Sequence, residues 1–163
     1  MNRVKQAIAQ WQREMPELDL LPMEVVGYMK TTQLLTQERL QAFFKDYGLQ
    51  LGEFDVLATL RRSGAPYRLG PTQLFETLMV SSGGMTSRLD RLEKAGLIVR
   101  SPNPEDRRGT LVSLTEEGLG LMNRIVPRHV ENEARMLAAL SREEQQALGE
   151  LLSKLLDGLA DQA

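Results

Sequence analysis

Apolar side chains recur every three or four positions along most of the chain, which is the spacing of amphipathic α-helices. The pattern predicts seven helices: 2–15, 22–46, 52–62, 71–79, 82–94, one that begins at Thr115 and one that begins at Ser141. Two β-branched segments, 97–100 and 110–114, predict strands that form one hairpin. The fold class expected from the pattern is therefore mainly α with a small β-hairpin.

The fourth and fifth helices are joined by a very short turn, and the hairpin follows directly. This order is that of a winged helix-turn-helix domain, whose second helix enters the major groove of DNA and whose hairpin is the wing. We expect N-terminal helices for dimerisation and a ligand pocket in residues 1–47. The winged helix-turn-helix DNA-binding domain follows in 48–114, and C-terminal dimerisation helices follow in 115–163.

The second helix of this motif has one apolar and one polar side. At 100° per residue, Met85, Leu89 and Leu92 define its buried side. The residues expected to contact DNA from the opposite side and its flank are Gly83, Thr86, Ser87, Arg91 and Lys94. Thr86, Ser87 and Arg91 are candidates for base reading, and Arg91 and Lys94 are candidates for phosphate contacts that make affinity depend on salt.

Two glycines and a serine stand at the start of this helix. Ser82, Gly83 and Gly84 would let the backbone approach DNA and present amides to phosphate. Each glycine lowers helix stability by about 1 kcal/mol relative to alanine, so a functional contact or close packing must offset this cost. The alternative is that the glycines relieve crowding against the neighbouring helix.

The loop between the two strands is polar and rich in turn-forming residues. Arg107 and Arg108 suit the narrow minor groove, where the potential is most negative. Asp106 would hold a neighbouring arginine through a charge-assisted hydrogen bond, so that Arg108 points outward. The alternative is an ordinary solvated loop.

Composition narrows the chemistry. The chain has no cysteine and a single histidine, His129, so we expect neither a metal site nor a catalytic triad, and we expect no cofactor and no enzyme activity. There is no run of about 18 apolar residues and no apolar stretch typical of a signal peptide, so we expect no membrane span and a cytoplasmic location. The net charge of −2 hides a cluster of basic residues between 88 and 108.

The last two helices contain more leucines than one pair of helices can bury. They are Leu137, Leu140, Leu148, Leu151, Leu152, Leu155, Leu156 and Leu159. An apolar stripe of this kind marks a partner surface, and small oligomers are mostly symmetric homodimers. We therefore expect a homodimer that joins through both termini, with packing inside one chain as the alternative.

Several consecutive motifs resemble the MarR family of transcription regulators. They are Ser82-Gly83-Gly84-Met85-Thr86-Ser87-Arg88-Leu89-Asp90-Arg91-Leu92-Glu93, Gly96-Leu97-Ile98, Asp106-Arg107-Arg108-Gly109 and Leu114-Thr115-Glu116-Glu117-Gly118. Element order and lengths agree from Pro22 to the end. The resemblance implies a dimeric winged-helix fold that binds a palindromic operator in double-stranded DNA, most often as a repressor.

A narrower resemblance concerns the urate-responsive branch of that family. In that branch a tryptophan and a recognition-helix arginine contact a purine anion, which here matches Trp11 and Arg88. An aspartate and a strand arginine form a coupled charge pair, which here matches Asp55 and Arg100. The resemblance therefore implies a small anionic aromatic ligand such as urate that weakens DNA binding.

The residues taken alone leave these roles open. Arg88 lies about 60° from the centre of the buried side of its helix, so it borders the core. Asp55 either lines a pocket or faces water, and Trp11 either stacks on a planar ring or packs in the core. Two rival functions also remain. One is the same fold sensing a phenolic or other aromatic carboxylate, or no ligand, and the other is a winged-helix protein-interaction module that does not bind DNA.

Overall fold

The computed structural model describes residues 2–78, 84–104 and 109–161. Within these ranges the chain forms seven helices and three strands. They are α1 (Arg3–Glu14), α2 (Leu21–Lys45), α3 (Leu51–Arg62), β1 (Arg68–Leu69), α4 (Pro71–Thr77), α5 (Met85–Lys94), β2 (Ile98–Pro102), β3 (Thr110–Leu114), α6 (Glu116–Met136) and α7 (Arg142–Ala160). The predicted mainly α fold with a small β-hairpin is confirmed.

The small sheet has one more strand than the sequence predicts. β2 and β3 form the antiparallel hairpin, and β1 pairs with the other edge of β3, which gives the order β1-β3-β2. Two residues are too few to show a period of two, which is why periodicity does not reveal β1. The short strand anchors the start of α4 to the wing.

α3 is the centre of the core. It packs against α2, α4, α5, α6 and β3. Val56, Leu57 and Leu60 are completely buried, as is Phe44 of α2. Because nearly all of α3 is enclosed, any polar side chain that it carries is held in place by its neighbours.

Side chains begin several of the helices. Thr115 accepts a hydrogen bond from the Gly118 N–H, and Ser141 accepts one from the Glu144 N–H, so both residues are N-caps at the predicted helix starts. Asn2 caps α1 in the same way. α6 contains Pro127, which has no N–H to donate to the carbonyl four residues earlier.

Large apolar side chains are exposed on the helices at both ends of the chain. None of the described residues of α7 is buried. The exposed apolar residues of α2 and α7 include Val25, Val26, Met29, Leu34, Leu35, Leu148, Leu151, Leu152, Leu155, Leu156 and Leu159. Within the described ranges, no helix has the length and apolar character needed to cross a membrane.

Candidate functional site

The predicted recognition helix is α5, and its facing agrees with the sequence. Met85, Leu89 and Leu92 are buried, while Thr86, Ser87, Asp90, Arg91 and Lys94 are exposed. Gly84 stands at the N-cap with φ of 74°, a left-handed conformation that favours glycine. Ser82 and Gly83, the other two residues predicted to let the backbone approach DNA, lie outside the described residues.

Arg91 extends from the exposed face of α5 back towards α3. Its Nε–H donates to Glu53 Oε1 at 2.5 Å, and its other two nitrogens donate to Ser87 Oγ at 2.7 Å and Gln50 Oε1 at 3.2 Å. Its side chain remains 45% exposed. Arg91, predicted to read DNA, is therefore also a tether between the recognition helix and α3.

Glu53 is the buried partner of that tether. Its residue is 5% exposed, and its second oxygen accepts the Gln50 N–H at 2.7 Å. Both carboxylate oxygens are thus hydrogen-bonded, which is what a buried charge requires.

Arg100 connects the first wing strand to α5. Its guanidinium donates to Glu93 Oε2 at 2.5 and 3.0 Å and to Asp90 Oδ1 at 2.8 Å, and its backbone N–H donates to Glu93 Oε1. These hydrogen bonds lower the pKa of Glu93 and raise the pKa of Arg100. The wing and the recognition helix are therefore joined by a charge cluster.

The charge pair between Arg100 and Asp55 that the family resemblance implies stays a prediction. The carboxylates that bind Arg100 here belong to Asp90 and Glu93 of α5. Both lie on the helix that precedes the strand, so the chain needs only the tight turn at Gly96 to bring them together. The wing tip residues Asp106, Arg107 and Arg108 lie outside the described residues.

Arg88 lies over the first turn of α3. A Cβ added to Gly52 would come within 2.6 Å of Arg88 Nε and 2.7 Å of its Cζ, so the guanidinium rests directly on the glycine backbone. Arg88 is half-buried, as expected for a residue that borders the core of its helix.

Asp55 lies one turn further along α3 and is 7% exposed. It borders a cavity of about 540 Å³ between α3 and α6. The lining combines apolar side chains such as Phe54, Met122 and Val126 with the polar side chains of Arg61, Arg62, Asn123 and His129. The cavity is thus mainly apolar, with Arg61 and Arg62 in its lining.

Trp11 lies on α1, which packs against α2, and it is 44% exposed. The described lining of the α3–α6 cavity comes from α3 and α6 alone, so Trp11 is not part of that wall. The Arg88 side chain, which comes from α5, therefore lies against the first turn of α3, one turn before Asp55, and Trp11 lies on a separate helix.

Sequence reasoning missed the acidic partners of the two arginines. Gln50 and Glu53 have the spacing of a capping box, which would have indicated a carboxylate held at the start of α3. Glu93 and Arg100 lie at nearly equal distances on either side of the turn at Gly96, which is a geometric signal for contact across it.

Comparisons with known proteins agree with this arrangement. Residues 49–110 match the family model described as MarR family. The HTH-type transcriptional regulator PecS of Dickeya dadantii (strain 3937) is 45% identical over 152 residues, which cover 93% of this chain and 92% of the relative. The structure is similar to that of Sco3205, a MarR family transcriptional regulator from Streptomyces coelicolor in complex with DNA, with a TM-score of 0.78 and 26% identity over 87% of this chain and 89% of that chain. It is also similar to a mutant of MarR from E. coli in complex with operator DNA, with a TM-score of 0.71 and 25% identity over 90% and 97%. The chain belongs to the MarR family of DNA-binding transcriptional regulators.

Proposed function

We propose that the protein is a homodimeric repressor that binds a palindromic operator and releases it when a small aromatic anion, such as urate, binds near Arg88. The observation that carries the proposal is the double role of α5. Its outer face is polar and exposed, while its inner edge holds a half-buried arginine against α3. A ligand that engages Arg88 therefore acts on the helix that reads DNA.

The DNA contact is expected at the exposed face of α5 and at the wing. Thr86 and Ser87 near the start of the helix suit base edges, and Lys94 near its end suits a phosphate. Arg107 and Arg108 extend the contact into the minor groove. Such a regulator works in the cytoplasm of a bacterium, and its affinity falls steeply as salt rises.

The homodimer is supported by the apolar residues left exposed on α2 and α7. A groove of about 790 Å³ between these helices is lined by Val25, Val26, Met29, Leu148, Leu151, Leu152 and Leu155 among others. A second copy of the chain covers such a surface symmetrically, and a two-fold protein matches a palindromic operator.

The anion is supported by charge at the first turn of α3. The guanidinium of Arg88 lies against the N-terminal turn of α3, where the helix dipole is positive, so an anion gains from both. Asp55 and the mainly apolar α3–α6 cavity follow along the same helix and suit a planar ring. The resemblance to the urate-responsive branch assigns the ring-stacking role to Trp11 and a charge pair to Asp55 and Arg100.

The test is binding of the purified protein to the DNA upstream of its own gene, with and without urate, xanthine and salicylate. The Arg88→Ala variant is compared with Arg135→Ala, which removes an exposed arginine at the far end of α6. Release by urate from the wild type and from Arg135→Ala, but not from Arg88→Ala, supports the proposal.

Other outcomes select the rival functions. Release by salicylate alone assigns an aromatic carboxylate instead of a purine. Binding that no anion changes discards the ligand site and keeps the DNA-binding regulator. No retardation of any DNA, with capture of a protein partner, contradicts operator binding altogether.

A further inference from the structure

We infer that Gly52 is the positioning residue for Arg88: position 52 must lack a side chain for the Arg88 guanidinium to rest where it does. The inference deepens the ligand site, and its link to the anion response rests on the function proposed above. It makes Gly52 a determinant of that response although glycine itself has no group that binds a ligand.

The contact leaves no room for a side chain at position 52 while the Arg88 guanidinium stays in place. A Cβ on residue 52 would lie 2.6 Å from Arg88 Nε, 2.7 Å from Cζ and 3.1 Å from Nη2. Nonbonded carbon contacts are normally about 3.5–4.0 Å, so even alanine would displace the guanidinium. At Gly120 of α6, by contrast, a Cβ would lie 3.7 Å from Arg124 Nη1, which is an ordinary contact.

The backbone does not require glycine here. Gly52 is the second residue of a regular helix, whereas the glycines at 48, 64, 84 and 96 have positive φ. Alanine is favoured over glycine in a helix by about 1 kcal/mol. Space for Arg88 is therefore the physical reason for glycine at this position.

The side chain of Arg88, and not α5, is the part that would move. Arg91, one turn further along α5, is bound to the buried Glu53 of α3, and Met85, Leu89 and Leu92 of α5 are buried in the core. These contacts hold α5 against α3 on both sides of Arg88. The guanidinium lies at the end of a flexible chain and can leave without unfolding the protein.

The experiment compares wild type, Gly52→Ala, Arg88→Ala, the double variant and the control Gly120→Ala. The first readout is the ¹⁵N NMR signal of the Arg88 Nε–H, identified by its absence in Arg88→Ala. The second is the urate concentration that releases half of the operator DNA. Thermal unfolding checks that every variant is folded.

We expect Gly52→Ala to shift the Arg88 signal and to raise the half-release concentration about tenfold, which corresponds to loss of one charge-assisted hydrogen bond. Gly120→Ala should do neither. In the Arg88→Ala background, adding Gly52→Ala should change nothing further, because the effect acts through Arg88.

Two results would overturn the inference. One is an Arg88 signal that Gly52→Ala leaves in place, and the other is an equal effect of Gly52→Ala with and without Arg88. If the wild type does not respond to urate, the proposed ligand fails. The NMR signal then still decides whether Gly52 positions Arg88.

Discussion

The buried carboxylate of Glu53 shows how a single charge ties two helices together. One oxygen accepts the Arg91 Nε–H and the other accepts the Gln50 N–H. A buried charge is tolerated only while such partners remain, because removing one exposes the full desolvation cost of the other. Arg91 therefore stabilises the fold whatever it does at DNA.

We expect Arg91→Ala to lower the free energy of unfolding by about 2 kcal/mol, less than for a fully buried pair because Arg91 is partly exposed. Urea unfolding at fixed protein concentration measures the change. Combining it with Glu53→Gln should recover most of the loss, since Gln is neutral and still accepts the Gln50 N–H.

The matched control is Lys94→Ala, which removes the other exposed cation of α5 near Arg91. Its effect on unfolding should stay within about 0.5 kcal/mol. If the double variant is as unstable as Arg91→Ala alone, the unpaired charge is not the cause.

The sequence predicts which side chains of α5 are buried, but it does not predict which residue of another helix pairs with Arg91. The helical period correctly buries Met85, Leu89 and Leu92 and puts Arg88 at the border of the core. It gives no information on what lies across from Arg91, since Glu53 belongs to another helix and the pairing depends on how the two helices cross. The DNA and ligand roles of these residues stay predictions.

At the scale of elements, the junction of α5, β2 and α6 depends on one close backbone approach. The Thr115 side chain donates to the Gly96 carbonyl, and the Thr115 N–H donates to the Leu97 carbonyl. Gly118 of α6 lies against that same Leu97 carbonyl, and a Cβ there would collide with backbone atoms that cannot rotate away.

Gly118→Ala should therefore destabilise the protein by about 2 kcal/mol, the cost typical of overpacking in a core. Gly120→Ala, two residues later in the same helix, meets only an ordinary contact and should be neutral or slightly stabilising. Thermal unfolding of both variants tests this, and equal melting temperatures would contradict the assigned clash.

The ion pairs between the wing and α5 should weaken in acid. Hydrogen bonds from Arg100 lower the folded-state pKa of Glu93, so its stabilising contribution is complete above the unfolded pKa of about 4.3 and is lost as pH falls through the lowered value. Glu93→Gln should thus be less stable than wild type at about pH 7, and the difference should vanish in acid.

Urea unfolding across this pH range measures the effect. Glu150→Gln, on the exposed α7, is the control and should follow the wild type at every pH. A gap between Glu93→Gln and wild type that stays constant down to acid pH would show that the charge of Glu93 is not involved.

Long helices were predictable from the sequence because the spacing of their apolar residues repeats over several turns. α6 shows this, since its apolar period runs through Pro127 without a break and outweighs one helix-breaking residue. β1 was not readable, because its two residues gain their structure from pairing with Ser113 and Val112 of β3. Short elements of this kind are fixed by their partners and not by their own composition.

At the scale of the molecule, the proposed homodimer rests on the exposed apolar faces of α2 and α7. Leu151 is 66% exposed within one chain and lines the groove between the two helices. Leu151→Glu should put a charge into the proposed dimer interface, shift the protein to monomer and abolish operator binding at concentrations where the wild type binds.

Lys154→Glu, a charge reversal three residues away on the same helix, is the control for added negative charge. Analytical ultracentrifugation gives the mass of each variant, and gel retardation gives its DNA binding. A Leu151→Glu protein that stays dimeric would place the dimer interface elsewhere.

Arg100 has a consequence for how an operator is read. Its hydrogen bonds join the first strand of the wing to Asp90 and Glu93 of α5. The recognition helix and the wing therefore approach DNA as one unit, with a fixed angle between them. In the proposed complex, α5 contacts the major groove and the wing contacts the neighbouring minor groove. A base pair inserted between these two contacts within a half-site changes the rotation of one groove relative to the other. A shift between the two protomers cannot compensate for this change, because it lies within a single half-site.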